Sequence, residues 1–122
     1  MEGTNDPRGT WMSFPIESIT SDTVVVIIGS NLDFRNVPDF KEAYQAQVSA
    51  GIRNFILDFS DTRILDSSGF GSLFTLYRKL RAVRGQVCFA SPSQPVQEAV
   101  QLTHVYKIFP QFDTVESAFD AI

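Results

Sequence analysis

Asp66-Ser67-Ser68-Gly69-Phe70-Gly71 sets one carboxylate and two hydroxyls directly before the strongest apolar periodicity in the chain. A helix that begins here leaves the backbone N–H groups of its first turn without partners, and together they carry partial positive charge. One of the two serines is expected to cap that terminus through its side-chain oxygen. The other is left over. A phosphate added to Ser67 brings about −1.5 to −2 charges to a place where free amides tolerate an anion, so the residue can be modified without unfolding the domain. A partner docked on the same loop meets that charge as repulsion and desolvation. About 3 kcal/mol of such cost lowers affinity more than a hundredfold. Gly69 and Gly71 each cost up to about 1 kcal/mol against Ala inside a helix. Their presence points to close approach, first of helix to sheet and second of a partner to the loop.

Other chemistries lack their parts. A serine nucleophile needs a base held by a third group, and the sole histidine, His104, stands alone with no Gly-x-Ser-x-Gly turn in the sequence. One His and one Cys in unrelated segments do not make a metal centre, and no Gly-x-x-x-x-Gly-Lys phosphate loop is present. No enzyme, cofactor or metal is expected. The net charge of −4 and pI of about 4.8 have the wrong sign for neutralising nucleic-acid phosphates. Cys88, within Gln86-Val87-Cys88-Phe89-Ala90, reads as a buried small hydrophobe in a reducing compartment. The first eleven residues have the composition of a loose arm rather than a signal peptide, and the aliphatic run Val24–Ile28 is far too short to span a bilayer. The expected setting is cytoplasmic, without direct membrane insertion.

Positioning the serines requires a framework. Residues 13–17 suggest an edge strand, since Pro15 removes a ladder donor. Val24–Ile28, closed by Gly29, reads as a strand buried on both faces. Val37, Phe40, Ala43, Tyr44 and Val48 step at helical spacing between Asn36 and Ala50, and Gly51 ends that helix. Residues 54–59 form the next strand. Phe70, Leu73, Phe74, Tyr77 and Leu80 then define the strongest helix, over 70–84. Arg78, Lys79, Arg81 and Arg84 complement the negative end of its dipole, and Gly85 stops it. Residues 86–90 are a strand, 95–102 a short helix and 106–109 a final short strand before Pro110. Thr114 is the expected N-cap of a closing helix. Strand-helix-strand-helix-strand from Val24 to Ala90 makes two right-handed crossovers with parallel strands. Three loops (29–36, 60–68 and 91–93) therefore share the carboxyl end of the sheet, where sites in such folds gather. The fold class is α/β: a mixed sheet of four to five strands with about four helices, in a single domain over residues 12–122 after an arm at 1–11.

These residues carry a resemblance. Ile56-Leu57-Asp58-Phe59, then Ile64-Leu65-Asp66-Ser67-Ser68-Gly69-Phe70-Gly71, then Leu76-Tyr77-Arg78-Lys79-Leu80-Arg81 resemble the STAS domain of anti-sigma factor antagonists. Ser91-Pro92, Val96, Leu102 and the tail from Tyr106 to Ala118 are similar to that family's closing pattern, and Gly29 with Leu32-Asp33 to its Gly-x-Leu-Asp signature. Two positions depart from it: Ser30-Asn31 supply one residue more than usual, and His104 stands where the family commonly has Gly. His104 is read as a capping or surface residue that tolerates a left-handed turn. The resemblance implies a protein that binds an anti-sigma factor that is also a serine kinase. It implies phosphorylation of Ser67 by that kinase and reversal by a serine phosphatase. It also implies a partner-binding surface made by Asp33, Asp66, Ser67, Ser68 and Gly69, with Asp66 positioning the Ser67 hydroxyl. Both a monomer and a homodimer are compatible with it. The same domain occurs in sensor scaffolds and transporter complexes, where a nucleotide or other phosphate-bearing ligand at the Ser67 end is the alternative reading.

Overall fold

Three apolar runs build the centre of the sheet. Thr23–Ile27 (β2), Asn54–Asp58 (β4) and Gln86–Ala90 (β6) lie side by side and parallel, with Val25 opposite Ile56 and Ile56 opposite Cys88. Their near-continuous hydrophobicity follows from burial on both faces. The computed structural model describes residues 14–122; the expected arm at 1–11 lies outside them, as does the first residue of the expected strand 13–17. That strand is Ile16–Ser18 (β1), antiparallel to β2 at one edge, as Pro15 requires. Gln111–Phe112 (β7) closes the other edge, so the mixed five-stranded sheet runs β1-β2-β4-β6-β7.

Strand alternation sorts the core into two layers. Val24, Val26, Phe55, Leu57, Val87 and Phe89 face the larger one, with Phe40 and Tyr44 of helix α1 (Val37–Ser49) and Leu73, Leu76 and Leu80 of helix α2 (Ser67–Ala82). Val96 and Val100 of helix α3 (Gln94–Thr103) join the same layer. Val25, Ile56 and Cys88 face the other side, covered by Ala118 of helix α4 (Val115–Ala121). Burial pushes the Cys88 thiol up to about 11, consistent with a small hydrophobe. Thr114 caps α4 in a reciprocal box with Ser117.

One expectation needs correction. Residues 106–109 are not a strand. Val105–Lys107 is one turn of 3-10 helix, and the amides of Ile108 and Phe109 bond back to the Val105 carbonyl. Val105 and Phe109, four residues apart, are buried while Tyr106 and Ile108 are exposed. Phe109 stacks on Phe89 at 4.9 Å, and that anchoring selects the helical spacing. Pairing resumes only after Pro110, at Gln111. Helix α2 ends at Ala82, just short of the expected stop at Gly85; Arg84 makes the left-handed turn between them, at φ 61°, and Gly85 is small because any side chain would strike the Arg53 carbonyl.

The sequence reading also missed a second sheet. Asn31–Leu32 (β3) and Ile64–Leu65 (β5) form a two-stranded parallel ladder between the loops that leave β2 and β4. Two residues per strand are too few for a periodicity.

Candidate functional site

Leu32 and Leu65 are ladder partners, so the residues that follow them, Asp33 and Asp66, leave the small sheet together. After Leu32 the chain turns sharply. The Asp33 carbonyl accepts from the Asn36 and Val37 amides, the Asn36 side-chain oxygen accepts from the Asp33 amide, and Asn36 Nδ2 donates to the Asn31 carbonyl at 2.8 Å. The Asp33 side chain is only 4% exposed, which demands full pairing. Arg35 provides it: Nη2 donates to Oδ2 at 2.6 Å, Nε to both oxygens, and the Arg35 amide to Oδ1. Asn31 Nδ2 adds a bond to Oδ1 at 3.1 Å. The Arg35 side-chain bonds, aided by its backbone amide and by Asn31, hold the Asp33 carboxyl below its ordinary range against the opposing effect of burial.

After Leu65 the chain enters α2. Asp66, in extended conformation, is the N-cap: its Oδ1 accepts from the Gly69 amide at 2.8 Å. This corrects the expectation that Ser67 or Ser68 caps the helix. The carboxylate reaches the free amides first, and both serines occupy the first helical turn with their side chains exposed. The other oxygen of Asp66 accepts from the Phe34 amide at 3.1 Å. Asp66 thus positions Ser67 through the backbone it caps, and it joins the two loops.

The two glycines part company. A methyl on Gly69 would collide with the Leu32 carbonyl and lie 2.8 Å from Leu65 Cδ1, so Gly69 lets the helix start against the small sheet. Gly71 is exposed, with nothing within 4 Å of where its Cβ would stand, so helix-to-sheet approach does not explain it.

Asp33, Asp66, Ser67, Ser68 and Gly69 therefore converge at one end of the molecule. Of these, Ser67 and Ser68 are open to solvent, while Gly69 is buried and the Asp33 carboxylate lies under Arg35. The accessible groups beside the serines include two that sequence reasoning did not single out. Phe34 is 72% exposed, and the Arg35 side chain is 56% exposed. An aromatic outside the helical periodicity of residues 36–50 was the available signal for Phe34; Arg35 gave none. His104 is elsewhere, ending α3 at φ 59° as a left-handed cap. Among the described residues no cluster of three or more His, Cys, Asp or Glu could hold a metal ion, and no helix is long and apolar enough to cross a membrane.

A model of the STAS domain matches residues 15–118. A Lysinibacillus sphaericus protein named anti-sigma F factor antagonist is 28% identical over 93 residues, covering 75% of this chain and 80% of the relative. The anti-sigma factor antagonist SpoIIAA in its unphosphorylated form superposes with a TM-score of 0.78 at 27% identity, covering 88% of this chain and 94% of that one. The Bacillus cell-fate determinant SpoIIAA in its phosphorylated form superposes at 0.71 with 26% identity, covering 88% and 97%. With that match across most of its length, on the fold and loop geometry described above, the chain belongs to the STAS domain family.

Proposed function

We propose that this chain is a cytoplasmic anti-sigma factor antagonist, that it docks on an anti-sigma factor with serine kinase activity, and that phosphorylation of Ser67 switches the docking off. The observation that carries the reading is an exposed hydroxyl at the first position of a helix whose cap is already supplied by Asp66. Ser67 has no structural duty to abandon when it is modified. In the transfer, the bond from Ser67 Oγ to the γ-phosphorus of ATP forms as the bond to the bridging oxygen breaks. ADP leaves with that electron pair, and the hydroxyl proton passes to a base of the kinase. Hydrolysis by a serine phosphatase restores the hydroxyl. The docking surface in this reading comprises Phe34 and Arg35, which covers Asp33, together with Asp66, Ser67 and Ser68 at the helix start that Gly69 seats on the small sheet. Relatives named as anti-sigma factor antagonists, one of them solved with and without phosphate, support it.

The test is incubation with kinase-type anti-sigma factors of the source organism and ATP. One phosphate is expected, mapped to Ser67 by mass spectrometry. Ser67→Ala should keep partner binding and accept no phosphate, and Ser67→Asp should bind more weakly. Equal partner affinity of the phosphorylated and unmodified proteins overturns the reading.

A further inference from the structure

We infer that Arg35 is the internal receptor for a phosphate on Ser67, and that it leaves the Asp33 carboxylate to reach it. The inference rests on the modification proposed above and adds to it a second residue and an exchange of partners. The path is short. The Phe34 amide is bonded to Asp66 Oδ2 at 3.1 Å, so Arg35 is the next residue after one that touches the helix cap, and Ser67 is the next residue after the cap itself. Although it holds Asp33 through Nε and Nη2, the Arg35 side chain is 56% exposed, and its guanidinium has five donors. Asp33 first, and Asp66 more weakly, hold that guanidinium in its charged form.

The competition favours the phosphate. It carries about −1.5 to −2 charges and three acceptor oxygens against the single charge of Asp33, and the planar fork of Arg matches it in two-point geometry. Arg63 is the cation nearest to Ser67 in sequence, but it lines a different cleft with Ser60, Asp61 and Ser93. Modification then alters the surface twice: it adds the phosphate and it uncovers a carboxylate that Arg35 had neutralised. A partner that matched the neutral pair meets two new anionic groups.

The test uses full-length protein with phosphoserine installed at position 67 during translation, so no kinase is involved. The second ionisation of a phosphoserine lies near pH 6, and phosphorus NMR reads it directly. Wild type is expected to titrate lowest, and Arg35→Gln to raise the midpoint by about half a unit or more. Arg63→Gln should titrate with wild type. Coincident curves for wild type and Arg35→Gln overturn the inference, as does an equal shift in Arg63→Gln. In wild-type protein the Arg35 Nε resonance should move between the unmodified and phosphoserine forms. An unmoved resonance overturns the inference even if Arg35→Gln fails to fold. A chain that no kinase modifies leaves these results standing, and failure here leaves kinase docking standing, so the two readings fail separately.

Discussion

Asp66 and Phe34, 32 residues apart in sequence, are joined by a hydrogen bond from the Phe34 amide to the carboxylate that caps α2. One side chain therefore fixes both the start of the helix bearing Ser67 and the turn bearing Asp33. Replacing Asp66 by Ala should lower stability by about 1–2 kcal/mol through loss of the cap. Asp66→Asn should cost less, because an amide oxygen caps nearly as well. Urea midpoints decide it: an Ala variant as stable as wild type would refute the capping role.

The glycines two residues apart should respond in opposite directions. Gly69→Ala forces a methyl against the Leu32 carbonyl, a backbone group that cannot rotate away, and should destabilise by about 1–3 kcal/mol. Gly71→Ala meets open space and should stabilise by up to about 1 kcal/mol, raising the melting temperature by a few degrees. If a partner packs on the bare backbone at Gly71, the same variant binds it less tightly while melting higher. Calorimetry and a binding titration read the two effects independently.

Asp33 predicts an acid limb in the stability curve. Its carboxyl is held below the ordinary value of 3.8 by the Arg35 side chain, so the unfolded chain binds its proton more readily than the folded one. The stabilisation is fully present above that ordinary value and is lost as pH falls through the depressed folded value. Asp33→Asn should therefore flatten the decline at the acid end. A wild-type decline retained unchanged in the variant would place its origin elsewhere.

Phe34 is 72% exposed, and its removal should leave folding stability within about 0.5 kcal/mol. Aromatic side chains at the centre of an interface commonly carry about 2 kcal/mol or more of binding energy. Phe34→Ala should accordingly weaken docking roughly 30-fold. Unchanged affinity would put Phe34 outside the interface.

The sequence was most informative where periodicity was long. Val24–Ile28, the 70–84 helix and the Thr114 cap all stand close to where residue pattern placed them, because each is decided by burial or by one local hydrogen bond. A left-handed turn at His104 was legible, and of the capping and surface roles left open for it the structure shows the cap. Tyr106-Lys107-Ile108-Phe109 was misread because four residues fit two periods, and only the stacking of Phe109 on Phe89 chooses between them. At the site, the convergence of Asp33 with Asp66-Ser67 followed from crossover topology. The choice of Asp66 over the serines as cap did not, since Asp and Ser both cap well and only the geometry at Gly69 decides. Arg35 over Asp33 was invisible: a pair two residues apart diverges on a helix and stands about 6.5 Å apart along a strand, so it closes this tightly only in a sharp turn, which the side chain of Asn36 makes here.

The small β3–β5 ladder has a bearing on how the site breathes. Its two strands pair with each other rather than with the main sheet, and Gly69 seats the helix start on the Leu32 carbonyl. Opening that ladder releases both loops at once, so the surface is expected to protect and expose its amides as one cooperative unit in hydrogen exchange. A ligand that grips either loop would then slow exchange in the other.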